Sequence, residues 1–166
     1  MASSEPIRTR GFAFLSLLIL LAVIGIATSA TVTLGVLVQR RTAEQALLDI
    51  GAEFQQALAS YIGATPAGKP TYPNTLEDLL RDPRTAGLRR HLRKLYADPI
   101  TGKTDWILLP APGGQGFAGL HSLSTARPIK RANFDSMFVG FDNRKSYSEW
   151  QFVHTLTAGG VINFSN

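Results

Sequence analysis

Twenty-seven consecutive residues, Phe12 to Val38, carry no charge, and arginines close the run on both sides (Arg8 and Arg10 before it, Arg40 and Arg41 after it). A helix rises about 1.5 Å per residue and a bilayer core is about 30 Å thick, so about 20 apolar residues span it. The run predicts a membrane-spanning helix, which restricts the chain to functions that a tethered domain can perform. Two rival readings share the charge pattern. A secretory signal peptide has an apolar core of about 7–15 residues and a small-residue cleavage site. Here the run is longer, although Ala27-Thr28-Ser29-Ala30 has the look of such a site. A plain single-pass anchor is the other rival. Positive charge on both flanks orients the segment poorly.

Beyond the run the helix is predicted to continue. Ala43, Leu47, Ile50, Phe54, Ala57 and Tyr61 recur at spacings of three and four, with Glu44, Asp49, Glu53 and Gln56 off the stripe. That is one apolar face of an amphipathic helix. A helix from Phe12 to Ile62 would be roughly 75 Å long. It is expected to stop at Gly63, because 64–70 is a loop by composition. A short helix follows, with Thr75 as its cap and Glu77 and Asp78 in the first turn, and Pro83 ends it. Leu88, Leu92 and Leu95 predict a further helical turn, and Asp98-Pro99-Ile100-Thr101-Gly102 predicts a tight turn. Short strands are then expected at 106–109, 116–123, 137–141, 150–153 and 161–164, between Gly, Pro, Asn and Ser clusters. The fold class is α+β, a long helix packed on a small antiparallel sheet.

The junction before the run adds a family resemblance. Arg8-Thr9-Arg10-Gly11-Phe12, followed at once by the apolar helix, resembles the class III signal of type IV pilins and type II secretion pseudopilins. The resemblance implies cleavage by a prepilin peptidase between Gly11 and Phe12, with methylation of Phe12. Glycine suits such a cut because it lets an enzyme approach the backbone closely. The same family commonly carries Tyr-Pro-x-x-Leu-x-x-Leu, which Tyr72 to Leu80 resembles. Leu92 to Pro99, with Thr101-Gly102 and Trp106, resembles its Asp-Pro-x-Gly turn entering the sheet. The likeness covers most of residues 8–109. One departure is Ser16, which stands where the family usually has a glutamate that pairs with a neighbouring subunit's amino terminus. Ser16 cannot form that ion pair, though its hydroxyl can bond a carbonyl one turn back; the resemblance then implies a minor subunit.

On this reading residues 1–11 are a leader, 12–38 a transmembrane and filament-core helix, and 39–166 a periplasmic pilin-like domain that includes the second half of the long helix. The chain would sit in the inner membrane as a single-pass protein. Its mechanism would be filament assembly in protein export, with no catalysis and no cofactor. Gly25 and Gly35, with Ala27, Ser29 and Ala30, would permit close helix approach. The implied partners are the prepilin peptidase, other pilins or pseudopilins through the helix, inner-membrane lipid, and a secretion or pilus assembly platform.

The absence of cysteine removes thiol chemistry, cysteine-ligated metal sites and the disulfide loop of many pilins. Asp135, Asp142 and Asn143 are too few for a calcium site needing six or more oxygens. His91, His121 and His154 fall in no metal or nucleophile motif, and Gly113 to Gly116 read as a hairpin loop and not a phosphate cradle. The formal net charge is +5. Six basic residues lie between Arg81 and Lys94, including Arg89, Arg90, Arg93 and Lys94, against one acid, Asp82. A second cluster is Arg127, Lys130 and Arg131. Such patches suit acidic subunit faces or acidic headgroups. Nucleic acid is the less favoured partner, since Tyr96 alone is little aromatic interleaving; a DNA-binding minor pilin of an uptake system, or a tethered periplasmic binding domain, remains the alternative.

Overall fold

A sheet of very short strands holds its shape only when something apolar covers a face, and in this chain that cover is a helix. The computed structural model describes residues 10–154, with side chains at 12–24 and 35–154. The elements run α1 (Arg10–Gly63), α2 (Glu77–Leu80), β1 (Ile107–Pro110), β2 (Phe117–His121), a 3₁₀ turn (Tyr147–Glu149) and β3 (Phe152–Val153). The chain divides into two compact units at Arg40/Arg41, within α1.

In the second unit, α1 packs on a three-stranded antiparallel sheet of order β1-β2-β3. The fold class is therefore α+β. The predicted stripe is real but too narrow. Leu47, Phe54, Ala57 and Tyr61 are buried, as are Leu48, Gly51, Gln55 and Leu58 beside them. A helix covered on more than one side needs a broader apolar arc. Gly51 marks the tightest contact: a Cβ there would lie 2.1 Å from the Phe152 ring. Next to it, Gln55 Nε2 donates to Val153 O at 3.0 Å, tying helix to strand.

The β1–β2 hairpin turns through Gly113, Gly114 and Gly116, all at positive φ, as the glycine-rich stretch predicts. Gly116 has a second reason for lacking a side chain. Pro73 runs across it, its carbonyl accepting from Phe117 N at 2.9 Å, and a Cβ on Gly116 would meet that oxygen at 2.5 Å. The Tyr-Pro segment thus closes the hairpin end of the sheet.

Several local expectations fail for clear reasons. Residues 137–141 form turns, with Phe138 N bonded to Asp135 O, and not a strand. Phe138 and Phe141 are both buried while Val139 is 85% exposed, and a strand would send residues three apart to opposite faces. The two rings instead join Phe134, Trp150 and Phe152 in one aromatic cluster. Leu88, Leu92 and Leu95 make no helical turn. Leu88 is 67% exposed, and the segment lies against α2, with His91 N and Leu92 N on Leu79 O and Asp82 N on Arg89 O. Thr75 is not the α2 cap; that position is Leu76, and the Asp78 carboxylate accepts from Asn74 N and Thr75 N. Strand β3 starts later than expected because the 3₁₀ turn runs up to Trp150. The strand expected at 161–164 lies outside the described residues.

The first unit differs in kind. From Phe12 to Ile24 its large apolar side chains are exposed. Among the described residues no helix is long and apolar enough to cross a membrane. The side chains of 25–34 fall outside the description, and the apolar stretches on either side of them, 12–24 and 35–38, are each shorter than a bilayer core requires.

Gly51→Ala should destabilise the domain by about 1–3 kcal/mol through overpacking against Phe152, read as a lower denaturant midpoint of Trp106 and Trp150 fluorescence. Gly87→Ala, where a Cβ meets nothing within 4 Å, is the control. Equal midpoints for the two variants would show that the helix–strand contact is loose.

Candidate functional site

A helix ends with carbonyls that have no partner within the helix, and a cation nearby can satisfy them. Arg84 does this for α1. Its Nη2 donates to Tyr61 O at 2.7 Å, its Nη1 to Pro70 O at 2.9 Å and to Thr65 Oγ1 at 2.8 Å, and its guanidinium carbon lies 3.5 Å from the Tyr61 ring centroid. The remaining donors form a fork onto Asp82, Nε to Oδ1 at 2.9 Å and Nη2 to Oδ2 at 2.8 Å. Both side chains are buried. This pair closes the loop after the helix onto the segment that follows α2.

His91 completes the cluster. Its ring is buried, Nε2 lies 3.4 Å from Asp82 Oδ2 and Nδ1 is 2.8 Å from Ser60 Oγ. A carboxylate only accepts, so Nε2 carries the proton and the serine hydroxyl donates to Nδ1. Hydrogen bonds from Arg84 hold the Asp82 carboxyl far below the usual carboxylate range. Burial pushes His91 down and keeps it neutral, against the opposing pull of Asp82.

Ser60, His91 and Asp82 stand in the order of a nucleophile relay, but the surroundings serve structure. Asp82 is committed to Arg84, and the backbone N–H groups of His91 and Leu92 are both spent on Leu79 O, leaving neither to stabilise an oxyanion. Among the described residues, no group of three or more His, Asp or Glu side chains is placed to hold a metal ion.

The basic segment divides accordingly. Arg84 is withdrawn into the interior, whereas Arg81, Arg89, Arg90, Arg93 and Lys94 are exposed. Arg93 lines a recess of about 470 Å³ with Glu53, Gln56, Ser60, His91 and Leu92. With Asp82 paired internally, the segment's one acid offsets none of the surface cations.

In the first unit, Phe12 is exposed and Ser16 Oγ donates to Ala13 O at 2.9 Å, the carbonyl one turn back. A Cβ on Gly35 would meet nothing within 4 Å. The side-chain surroundings of Gly11 and Gly25 lie outside the described residues. Of the predicted residues, the processing and assembly positions fall in the first unit and the basic patch in the second.

A second polar cluster escaped the sequence reading. Glu44, assigned to the solvent side of α1, is buried, and its carboxylate accepts from Ile129 N at 2.7 Å, Lys130 N at 2.8 Å and Tyr147 OH at 2.8 Å. The only available signal was its place one residue past Ala43, on the edge of the apolar stripe. No protein-family model, curated protein or solved structure matches the chain.

Arg84→Met strands the buried Asp82 carboxylate and should cost about 3–5 kcal/mol; the double variant with Asp82→Asn should recover part of it in a denaturation cycle. No recovery would mean that Arg84 acts only through the helix carbonyls. Stability should also fall with acid in two stages. His91 is harder to protonate folded than unfolded, so its contribution is complete above about pH 6.5 and lost as pH falls below that. Asp82 also has a depressed folded value, so its contribution is lost below about pH 4. Denaturant midpoints from pH 8 to 3 test both stages, and His91→Asn should shrink the first to the part left by His154, which burial also pushes down.

Proposed function

We propose that the chain is a pilin-like structural subunit, a minor pseudopilin of a type II secretion or type IV pilus assembly, made with a prepilin-type leader. The observation that carries this reading is the first unit's surface. Phe12, Phe14, Leu15, Leu17, Leu18, Ile19, Leu20, Leu21, Val23 and Ile24 are all exposed, and at 100° per residue they leave no polar side to the helix. A helix apolar all round belongs in lipid or among other helices. The Arg-Thr-Arg-Gly-Phe junction supports processing at Gly11/Phe12, and the α+β domain packed on its own helix section supports a pilin-like fold.

In this role the chain performs no chemistry. The helix sits in the inner membrane with the domain in the periplasm, and after processing it moves into a bundle of like helices. Ser16, its hydroxyl bonded within its own helix, contributes no charge to that bundle, which suits a subunit with no neighbour to pair at that depth.

A DNA-binding minor pilin is the second reading, and the exposed Arg81, Arg89, Arg90, Arg93 and Lys94 favour it. It requires affinity for duplex DNA that falls steeply with salt.

Intact mass and amino-terminal sequencing of the protein from native membranes test the main reading. The expected mature chain starts at Phe12 and carries one added methyl group. A chain retaining residues 1–11 would reduce the helix to an anchor, and one starting near Thr31 would make the protein an exported soluble domain.

A further inference from the structure

We infer that the recess at the root of α1 in the second unit binds the headgroup of an anionic phospholipid. The inference rests on the membrane-tethered reading above and adds the lipid class and the residues that select it. The recess, about 370 Å³, is lined by Arg41, Glu44, Gln45, Ile129 and Lys130. Its far wall is held in place by Glu44. By accepting from the backbone N–H groups of Ile129 and Lys130, and from Tyr147 OH, that carboxylate fastens the 129–130 segment against the first turn of the domain's helix section. Lys130 and the exposed Arg131 are thereby brought to the same end of the helix as Arg41. Lys130 is steadied further by the Phe134 ring, 4.9 Å from Nζ to centroid.

The charge balance favours an anion. Two cations of the recess, Arg41 and Lys130, stand against one acid, and that acid has its oxygens occupied by three donors. A guanidinium fork and an ammonium group match the free oxygens of a phosphodiester. The source of the phosphate follows from chain order, because Arg41 stands three residues after Val38, the last residue of the uncharged run. Cations immediately beyond a bilayer-spanning segment meet the headgroup layer, where anionic lipid attracts them. The basic segment near Arg89 lacks that position. It packs at the other end of the same helix section, against Ser60 and Tyr61, roughly 25 Å along the axis from Glu44.

The test uses the full chain in nanodiscs of equal phosphatidylglycerol and phosphatidylcholine, released intact into a native mass spectrometer. Retained lipid should be mostly phosphatidylglycerol. Its retention should fall about fivefold for each cation removed in Arg41→Ala and Lys130→Ala, and stay unchanged in Arg89→Ala/Arg90→Ala. Equal retention of the two lipids, or equal losses in both sets of variants, would overturn the inference while leaving the membrane reading standing. Loss of the bound lipid to millimolar inorganic phosphate would reassign the recess to a free anion. Failure of the wild-type chain to enter nanodiscs would instead sink the membrane reading itself.

Discussion

Burial of one broad face of α1 is the constraint on which the domain depends. Its strands have only four, five and two residues, too little sheet to be stable without packing against something else. The face from Leu47 to Tyr61 supplies that surface, and Gly51 lets Phe152 come down onto the helix backbone. Phe152 in turn meets Phe138 and Phe141, so the contact that seats β3 also gathers the irregular segment before it. Removing the Gly51 notch would lift the last strand and loosen the aromatic cluster together.

Where the chain is neither helix nor strand, buried carboxylates take over the task of fixing the backbone. Glu44 holds Ile129 and Lys130, Asp82 holds the N–H of Arg84, and Asp98 holds that of Ile100. Each also meets a side-chain donor: Tyr147, the Arg84 guanidinium, and the buried Ser122 hydroxyl. A carboxylate can accept at several lone pairs, so one side chain gathers segments remote in sequence. The cost of burying the charge is offset by those bonds, and only at Asp82 by a full ion pair. This makes the cluster at the helix end the part of the domain most sensitive to loss of a single partner.

The long-range plan was legible because it is written in periodicity and composition. The uncharged run, the stripe on α1, the glycine-rich hairpin and the α+β order all follow from patterns that extend over many residues. What stayed illegible depends on single contacts. Asp82 and Arg84 read as one acid and one base in a charged stretch, since nothing local says that the pair folds inward under the helix. Glu44 read as solvated because helix periodicity finds apolar partners and not backbone N–H groups 85 residues away. Phe138 and Phe141 read as a strand because aromatic residues are common in strands, although their spacing of three argued for a turn.

The two basic clusters look alike in sequence and are opposites in structure. Near Arg89 the cations are left over: the fold takes Arg84 and Asp82 for the helix end and leaves the rest on the surface, on a segment tied to its neighbours by backbone bonds and, among the described residues, with no buried carboxylate beneath the exposed cations. Near Lys130 the cations are built in, because a buried carboxylate fixes the backbone from which they project. A preorganised cluster loses less conformational freedom on meeting an anion than a loose one does. The cluster at the helix root is therefore the better candidate for a specific contact. The one at the helix end suits long-range attraction of acidic surfaces, which depends on net charge and little on geometry.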